Sequence, residues 1–181
     1  ILGANTLSSG YDVANSLRFD DGSSAYLNRT PSSASNRTTW TWSAWIKRSN
    51  LTGGQMALFG AKADSSNDTG IWLQSDNTLQ FFNNVSGTVK QIRTNRLFRD
   101  VSAWYHIVAV WDSDNGTAGN RMRLYINGVE ETLTESGSGF PAEDLNTMIN
   151  ISSQSTRHII GHTGYNNSLN FDFLLHGIVI S

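Results

Sequence analysis

The residues able to do chemistry are few: four histidines, 15 acids and no cysteine stand in 181 residues. Without cysteine, disulfide frameworks, thiolate metal sites and cysteine nucleophiles are excluded. His106 has a ring that titrates near neutral pH, but it sits between Tyr105 and Ile107 in an apolar run, no Ser-His-Asp arrangement is legible, and it reads as structural. His158 and His162 lie four apart around an Ile-Ile-Gly segment, where a strand would put them on one face; this is a weak zinc spacing with no third ligand. Glycoside hydrolysis needs two carboxyls about 5 to 9.5 Å apart across the bond. Glu130, Glu131 and Glu135 have no acid between them at strand spacing, and "NFDFLLHG" carries only Asp172. No catalytic residue is assigned, and the chain is expected not to be an enzyme. The loop "WDSDNGTAGN" gathers Asp112, Asp114, Asn115 and Asn120, oxygen ligands of the kind calcium takes six to eight at a time. The favoured reading is a solvated turn whose Asp and Asn side chains satisfy their own backbone, with calcium as the weaker alternative and no other cofactor.

Binding residues come next. In "TTWTWSAWIKR", Thr38 to Arg48, a strand places Trp40, Trp42, Ala44 and Ile46 on one face and Thr41, Ser43, Trp45 and Lys47 on the other. The first set is apolar throughout and predicts core. Trp45, among polar neighbours, predicts a partly exposed ring. In "GHTGYNNSLN", Tyr165 offers a ring to stack, and Asn166 and Asn167 offer donors and acceptors for hydroxyls, the combination a small-ligand site requires. The candidate glycan-binding residues are therefore Tyr165, Asn166, Asn167 and Trp45.

The elements that must position these residues are strands. In "AWYHIVAVWD", Trp104, His106, Val108 and Val110 alternate with Tyr105, Ile107, Ala109 and Trp111; both faces are largely apolar, which predicts a central strand buried between layers. "NRMRLYINGVEETL" alternates up to Asn127-Gly128 and predicts a type I′ hairpin. Further strands are expected from Ser16, Ser24, Met56, Gly70, Thr78 and Thr88, and in "RHIIGH" and "FDFLLHGIVI". Short runs separated by Gly, Asn, Asp and Ser at intervals of roughly ten residues predict an all-β antiparallel sandwich or jelly roll of ten or more strands. The one expected helical turn is "PAEDLNTM", opened by Pro141. Asp20, Asp21 and Gly22 form a turn.

Length suits one domain. A formal net charge of -2 with scattered Lys and Arg excludes a nucleic-acid face, and no apolar run is long enough to cross a membrane as a helix. Fifty-seven Asn, Ser and Thr residues imply a surface of hydroxyls and amides; the eight Asn-x-Ser/Thr sequons follow from that composition. Residues 1–14 are the least patterned and are expected to be an extended arm, with the domain over 15–181. The start at Ile1 without methionine points to sequence missing upstream.

In that order, "WTWSAWIKR", "WYHIVAVWD", "RLYINGVEE", "IIGH" and "FDFLLHGIVIS" resemble the concanavalin A-like, laminin-G-type β-sandwich family, over Asn15 to Ser181. The resemblance implies two stacked antiparallel sheets, with a concave face and rim loops that bind glycans or calcium in some members. Such domains often continue past the last strand, which implies a downstream piece. Sandwich glucanases of the superfamily carry their acids as Glu-x-Asp-x-x-Glu on one strand, and nothing here matches. The opening "SLRFDDGSSAYLNRTPSSASNRTTWTWSAWIKR" is similar to laminin-G-like domains in structural proteins of marine tailed bacteriophages. That likeness implies a virion module (fibre, appendage or capsid decoration) assembled in the host cytoplasm, displayed in many copies, joined to other subunits through the arm and touching host surface polysaccharide. The alternative is a secreted carbohydrate-binding module attached to a glycoside hydrolase.

Overall fold

The computed structural model describes residues 16–51, 54–137, 139–153, 155–162 and 173–180. Within them the strands are β1 (Leu17–Phe19), β2 (Leu27–Arg29), β3 (Thr39–Arg48), β4 (Met56–Asp64), β5 (Asn67–Leu73), β6 (Leu79–Val85) and β7 (Thr88–Thr94). They continue with β8 (Tyr105–Asp112), β9 (Met122–Ile126), β10 (Val129–Glu130), β11 (Leu133–Gly137), β12 (His158–Ile160) and β13 (Phe173–Ile180). The only helical turns among the described residues are two short 3₁₀ segments, Asp21–Ser23 and Ala118–Asn120. One sheet runs β1-β13-β3-β8-β9-β10 and the other β11-β7-β6-β5-β4-β12-β2. Every pairing in both is antiparallel. The all-β sandwich expected from the alternation is therefore the fold.

Aromatic rings bridge the two layers. Trp42 of β3 stacks on Phe59 of β4 at 5.9 Å between centroids, and Phe81 of β6 meets Trp40 and Trp111 edge-on. The face of β3 that carries Trp40, Trp42, Ala44 and Ile46 is buried, as its alternation requires. One end of the sandwich is closed by the segment around Thr147. Its hydroxyl accepts the Trp40 indole N–H at 3.0 Å and donates to the Arg37 carbonyl at 3.1 Å, and Arg37 Nε donates to the Thr147 carbonyl at 2.8 Å. The edge strands β1, β2, β10 and β11 have five residues or fewer, which limits the unpaired backbone offered to other chains.

Asn127 and Gly128 have φ of 53° and 81°, both left-handed, as a type I′ turn demands. Ser86 and Gly87 repeat the geometry between β6 and β7, at 52° and 80°.

Two expectations are corrected. The strand Tyr105–Asp112 is central in its sheet, but His106, Val108 and Val110 are half-exposed; a two-layer fold covers only one face of each sheet. The segment "PAEDLNTM" forms no helix, because Asp144 takes φ of 58° and its N–H donates to the Ser113 carbonyl at 3.1 Å, conformation and partner that a helix cannot use. The arm expected over residues 1–14 lies outside the described residues.

Candidate functional site

A two-layer sandwich leaves the outer face of each sheet to solvent. β8 obeys this, alternating buried and half-exposed positions. β6 does not: six of its seven residues are buried. Leu79, Phe81 and Asn83 face the core, so Gln80, Phe82 and Asn84 are buried on the outside, by their neighbours on adjacent strands. They line a groove of about 340 Å³ on the outer face of the seven-stranded sheet, within the range of small-ligand sites.

Cross-strand register fixes how this face is tiled. One row places Arg93 of β7, Gln80 of β6 and Trp72 of β5 side by side; the next places Gln91, Phe82, Gly70 and Gly60; the third places Val89, Asn84, Asp68 and Lys62. The bare backbone at Gly70 lets the two aromatic side chains close over it. A Cβ on Gly70 would meet Trp72 Nε1 at 2.6 Å and Phe82 Cε1 at 2.9 Å, so the indole folds over this glycine. Trp72 and Phe82 meet edge to face, 4.7 Å between centroids at 76°.

Beside the aromatic pair runs a chain of glutamine amides. Gln55 Nε2 donates to Gln74 Oε1 at 2.6 Å, Gln74 Nε2 donates to Gln80 Oε1, and Gln80 Nε2 donates to Gln91 Oε1. Every link runs in the same direction, so the four amides are joined head to tail.

At the far end, Asp68 is 7% exposed, with Lys62 Nζ 3.5 Å from its Oδ2. Burial pushes its carboxyl up to about 6, against the opposing pull of Lys62. Three buried atoms on this face have no hydrogen-bond partner: Asp68 Oδ1, Asn84 Oδ1 and Arg93 Nε.

The sites expected from sequence lie elsewhere. Trp45 is 42% exposed on the outer face of the other sheet, stacked on His106 at 5.0 Å, and the His106 Nε2 to Ser43 Oγ distance is 2.9 Å. His106 is thus held by packing and a hydroxyl. Tyr165, Asn166 and Asn167 lie outside the described residues. In the acidic loop, Asp114 Oδ2 accepts from the Thr38 and Thr39 hydroxyls at 3.2 and 2.9 Å, Asp112 Oδ2 accepts from Asn115 Nδ2 at 3.1 Å, and Asn115 Oδ1 accepts from the Thr117 N–H at 3.0 Å. These oxygens are engaged with the loop and the start of β3. Asn120 closes the adjoining 3₁₀ turn.

The paired-histidine geometry is corrected. β12 ends at Ile160 and Gly161 takes φ of 86°, so no strand carries both rings. His158 Nε2 accepts the Asn150 N–H at 2.9 Å, and burial lowers its pKa to about 4; His162 packs on Tyr26. Among the described residues no three His, Asp or Glu side chains are grouped to hold a metal ion.

The groove escaped the sequence reading, although a signal for it exists. In "GIWLQSDNTLQFFNN", Trp72, Gln80, Phe82 and Asn84 alternate with the core positions Ile71, Leu79, Phe81 and Asn83, putting aromatics and amides where a plain solvent face would carry charge.

The pattern that defines the concanavalin A-like lectin/glucanases superfamily (Laminin_G_3) matches residues 20–178. The chain belongs to this superfamily. Solved structures share the fold at low identity. Domains LG4-5 of the mouse laminin alpha1 chain are 11% identical with a TM-score of 0.64, over 93% of this chain and 42% of that one. The heptameric SAP-like pentraxin of Limulus polyphemus is 20% identical, with a TM-score of 0.51 over 95% and 71%. Domain 4 of AbnA, a GH43 extracellular arabinanase of Geobacillus stearothermophilus, is 17% identical, with a TM-score of 0.52 over 80% and 64%. This chain therefore spans less than half of the laminin fragment. No curated protein matches it by sequence.

Proposed function

We propose that the chain is a non-catalytic glycan-binding module whose ligand lies in the groove on the outer face of β5 to β7. The observation that carries this reading is the pairing of Trp72 and Phe82, an aromatic surface held outside the core, with buried polar atoms that lack partners beside it. An aromatic face stacks the C–H side of a sugar ring while fixed amides address its hydroxyls. The arabinanase domain of the same fold, solved in complex with arabinotriose, supports the class of ligand. Among the described residues Asp68 is the one carboxyl lining the groove, and hydrolysis of a glycosidic bond needs two; this supports binding without turnover.

Trp72→Ala is expected to remove at least about 90% of glycan retention, since aromatic contacts dominate such sites, while leaving the melting temperature within a few degrees of the parent. Affinity chromatography on immobilised polysaccharides, with circular dichroism for the fold, measures both. Unchanged retention would move the site away from the groove.

The opening stretch Ser16–Arg48 supports a finer reading, a module displayed in many copies on a tailed-phage virion. A shallow groove binds weakly, and multiple display raises avidity by about 10² to 10⁴. Mass spectrometry of purified particles tests this: many copies per particle are expected, and absence from particles contradicts it.

A further inference from the structure

The amide chain leaves a definite set of groups for a ligand to satisfy. Asp68 and Asn84 face each other across β5 and β6 in register, and each presents a buried side-chain oxygen without a partner. Two adjacent acceptors are satisfied only by donors placed between or above them. Asn84 Nδ2 is already committed, donating to the Ser65 carbonyl at 3.1 Å. At the other end of the groove Arg93 Nε offers one donor, beside Gln80 and in the same row as Trp72. The two ends are four residues apart along the strands, about 13 Å, more than a single sugar ring covers.

The charges on this face are matched. Lys62 lies 3.5 Å from Asp68, and Arg93 Nη1 lies 3.5 Å from Asp76 of the β5–β6 turn. A sulfate or carboxylate entering the Asp68 end would meet a carboxylate and a second acceptor, Asn84 Oδ1. Hydroxyl groups, which donate as well as accept, suit both ends. An extended peptide would engage a sheet edge through its backbone, whereas this groove lies over the paired strands β5, β6 and β7 and is walled by their side chains.

We propose that the ligand is a neutral oligosaccharide of at least two rings lying along the strand direction, with hydroxyls donating to Asp68 Oδ1 and Asn84 Oδ1, one ring against Trp72 and Phe82, and an oxygen accepting from Arg93 Nε. This rests on the reading of the groove as a glycan site. Asp68 is the specificity-determining residue: it rewards hydroxyl donors and repels anions.

The test uses the full chain, biotinylated and tetramerised on streptavidin, on a printed array of neutral, sulfated, uronate-bearing and sialylated glycans from one to six rings. Hits are expected among neutral chains of two or more rings, with the matching monosaccharides at least about tenfold weaker. Asp68→Asn is expected to lower the neutral signal about fivefold or more, since a charge-assisted hydrogen bond becomes a neutral one, and to raise signal on sulfated chains. Preference for anionic glycans, or monosaccharides equal to oligomers, overturns the inference while leaving glycan binding intact. No binding to any glycan by the folded tetramer overturns the proposed function and the inference together.

Discussion

Replacing Trp42 with alanine is expected to destabilise the protein by about 3 to 5 kcal/mol, a fall in melting temperature of roughly 6 to 20 °C for a chain of this size. Trp42 is fully buried, lies against Phe59 of the facing sheet and stands opposite Ala109, whose small side chain leaves room for the indole. Burying such a ring removes about 150 to 250 Å² from water, worth about 4 to 6 kcal/mol at 25 cal/mol/Å². Its Nε1–H is buried without a partner, which costs about 1 to 3 kcal/mol and explains why the net loss falls short of the area term. Trp42→Phe keeps most of the contact and sheds the unpaired N–H, so it should stay within about 1.5 kcal/mol of the parent. Chemical denaturation of both variants measures the pair. An alanine variant as stable as the parent would remove Trp42 from the core.

Asp68→Asn is expected to act in the opposite direction on stability and to impair binding. The carboxyl is raised from 3.8 to about 6 by burial. A carboxyl raised in the folded state contributes stability that is fully present below about pH 4 and lost as pH rises through 6. At pH 8 the ionised side chain therefore costs up to about 3 kcal/mol, and asparagine, of the same shape, avoids that cost. The variant should be about 1 to 3 kcal/mol more stable than the parent at pH 8, with the difference vanishing near pH 4. Lys62, part-exposed at 20% of its side chain, can turn to water once its partner is neutral. His158 works with the other sign: its pKa is lowered to about 4, so its contribution is present above about pH 6.5 and lost as pH falls through 4. The comparison of Asp68→Asn with parent at each pH cancels the His158 contribution. Thermal melts from pH 4 to 8 give the result, and a variant less stable than the parent at pH 8 would show that the Asp68–Lys62 pair stabilises the fold. A gain in stability coupled to a loss of ligand is the signature of a residue kept for recognition.

The strands were legible because burial in a sandwich follows period two. The split of Trp40 and Trp42 from Trp45 is visible in eleven residues, and the positive-φ turn at Asn127-Gly128 is carried by residue type alone. What stayed hidden depends on register between strands. Asp68 is one acid among 15 until it is placed between Lys62 and Asn84, and Trp72 looks like any strand tryptophan until its indole is found folded over Gly70 and against Phe82 of the next strand. Pairing between distant segments, such as β13 beside β3 and β12 beside β2, leaves no local trace. The segment at Pro141 misled because a proline followed by acids favours a helical start, while a hydrogen bond to Ser113, 31 residues away in sequence, draws Asp144 into the left-handed region.

Whether the groove on the seven-stranded sheet is the ligand site is tested most directly by side-chain NMR during titration with the strongest-binding array glycan. The six tryptophan indole N–H signals and the glutamine side-chain amides report separately on the two outer faces and the core. The groove predicts that the Trp72 indole and the amides of Gln74, Gln80 and Gln91 move with ligand while the Trp45 indole stays in place. Movement of the Trp45 indole, or of amides in residues 163–172, with Trp72 unchanged would place the ligand elsewhere and contradict the account.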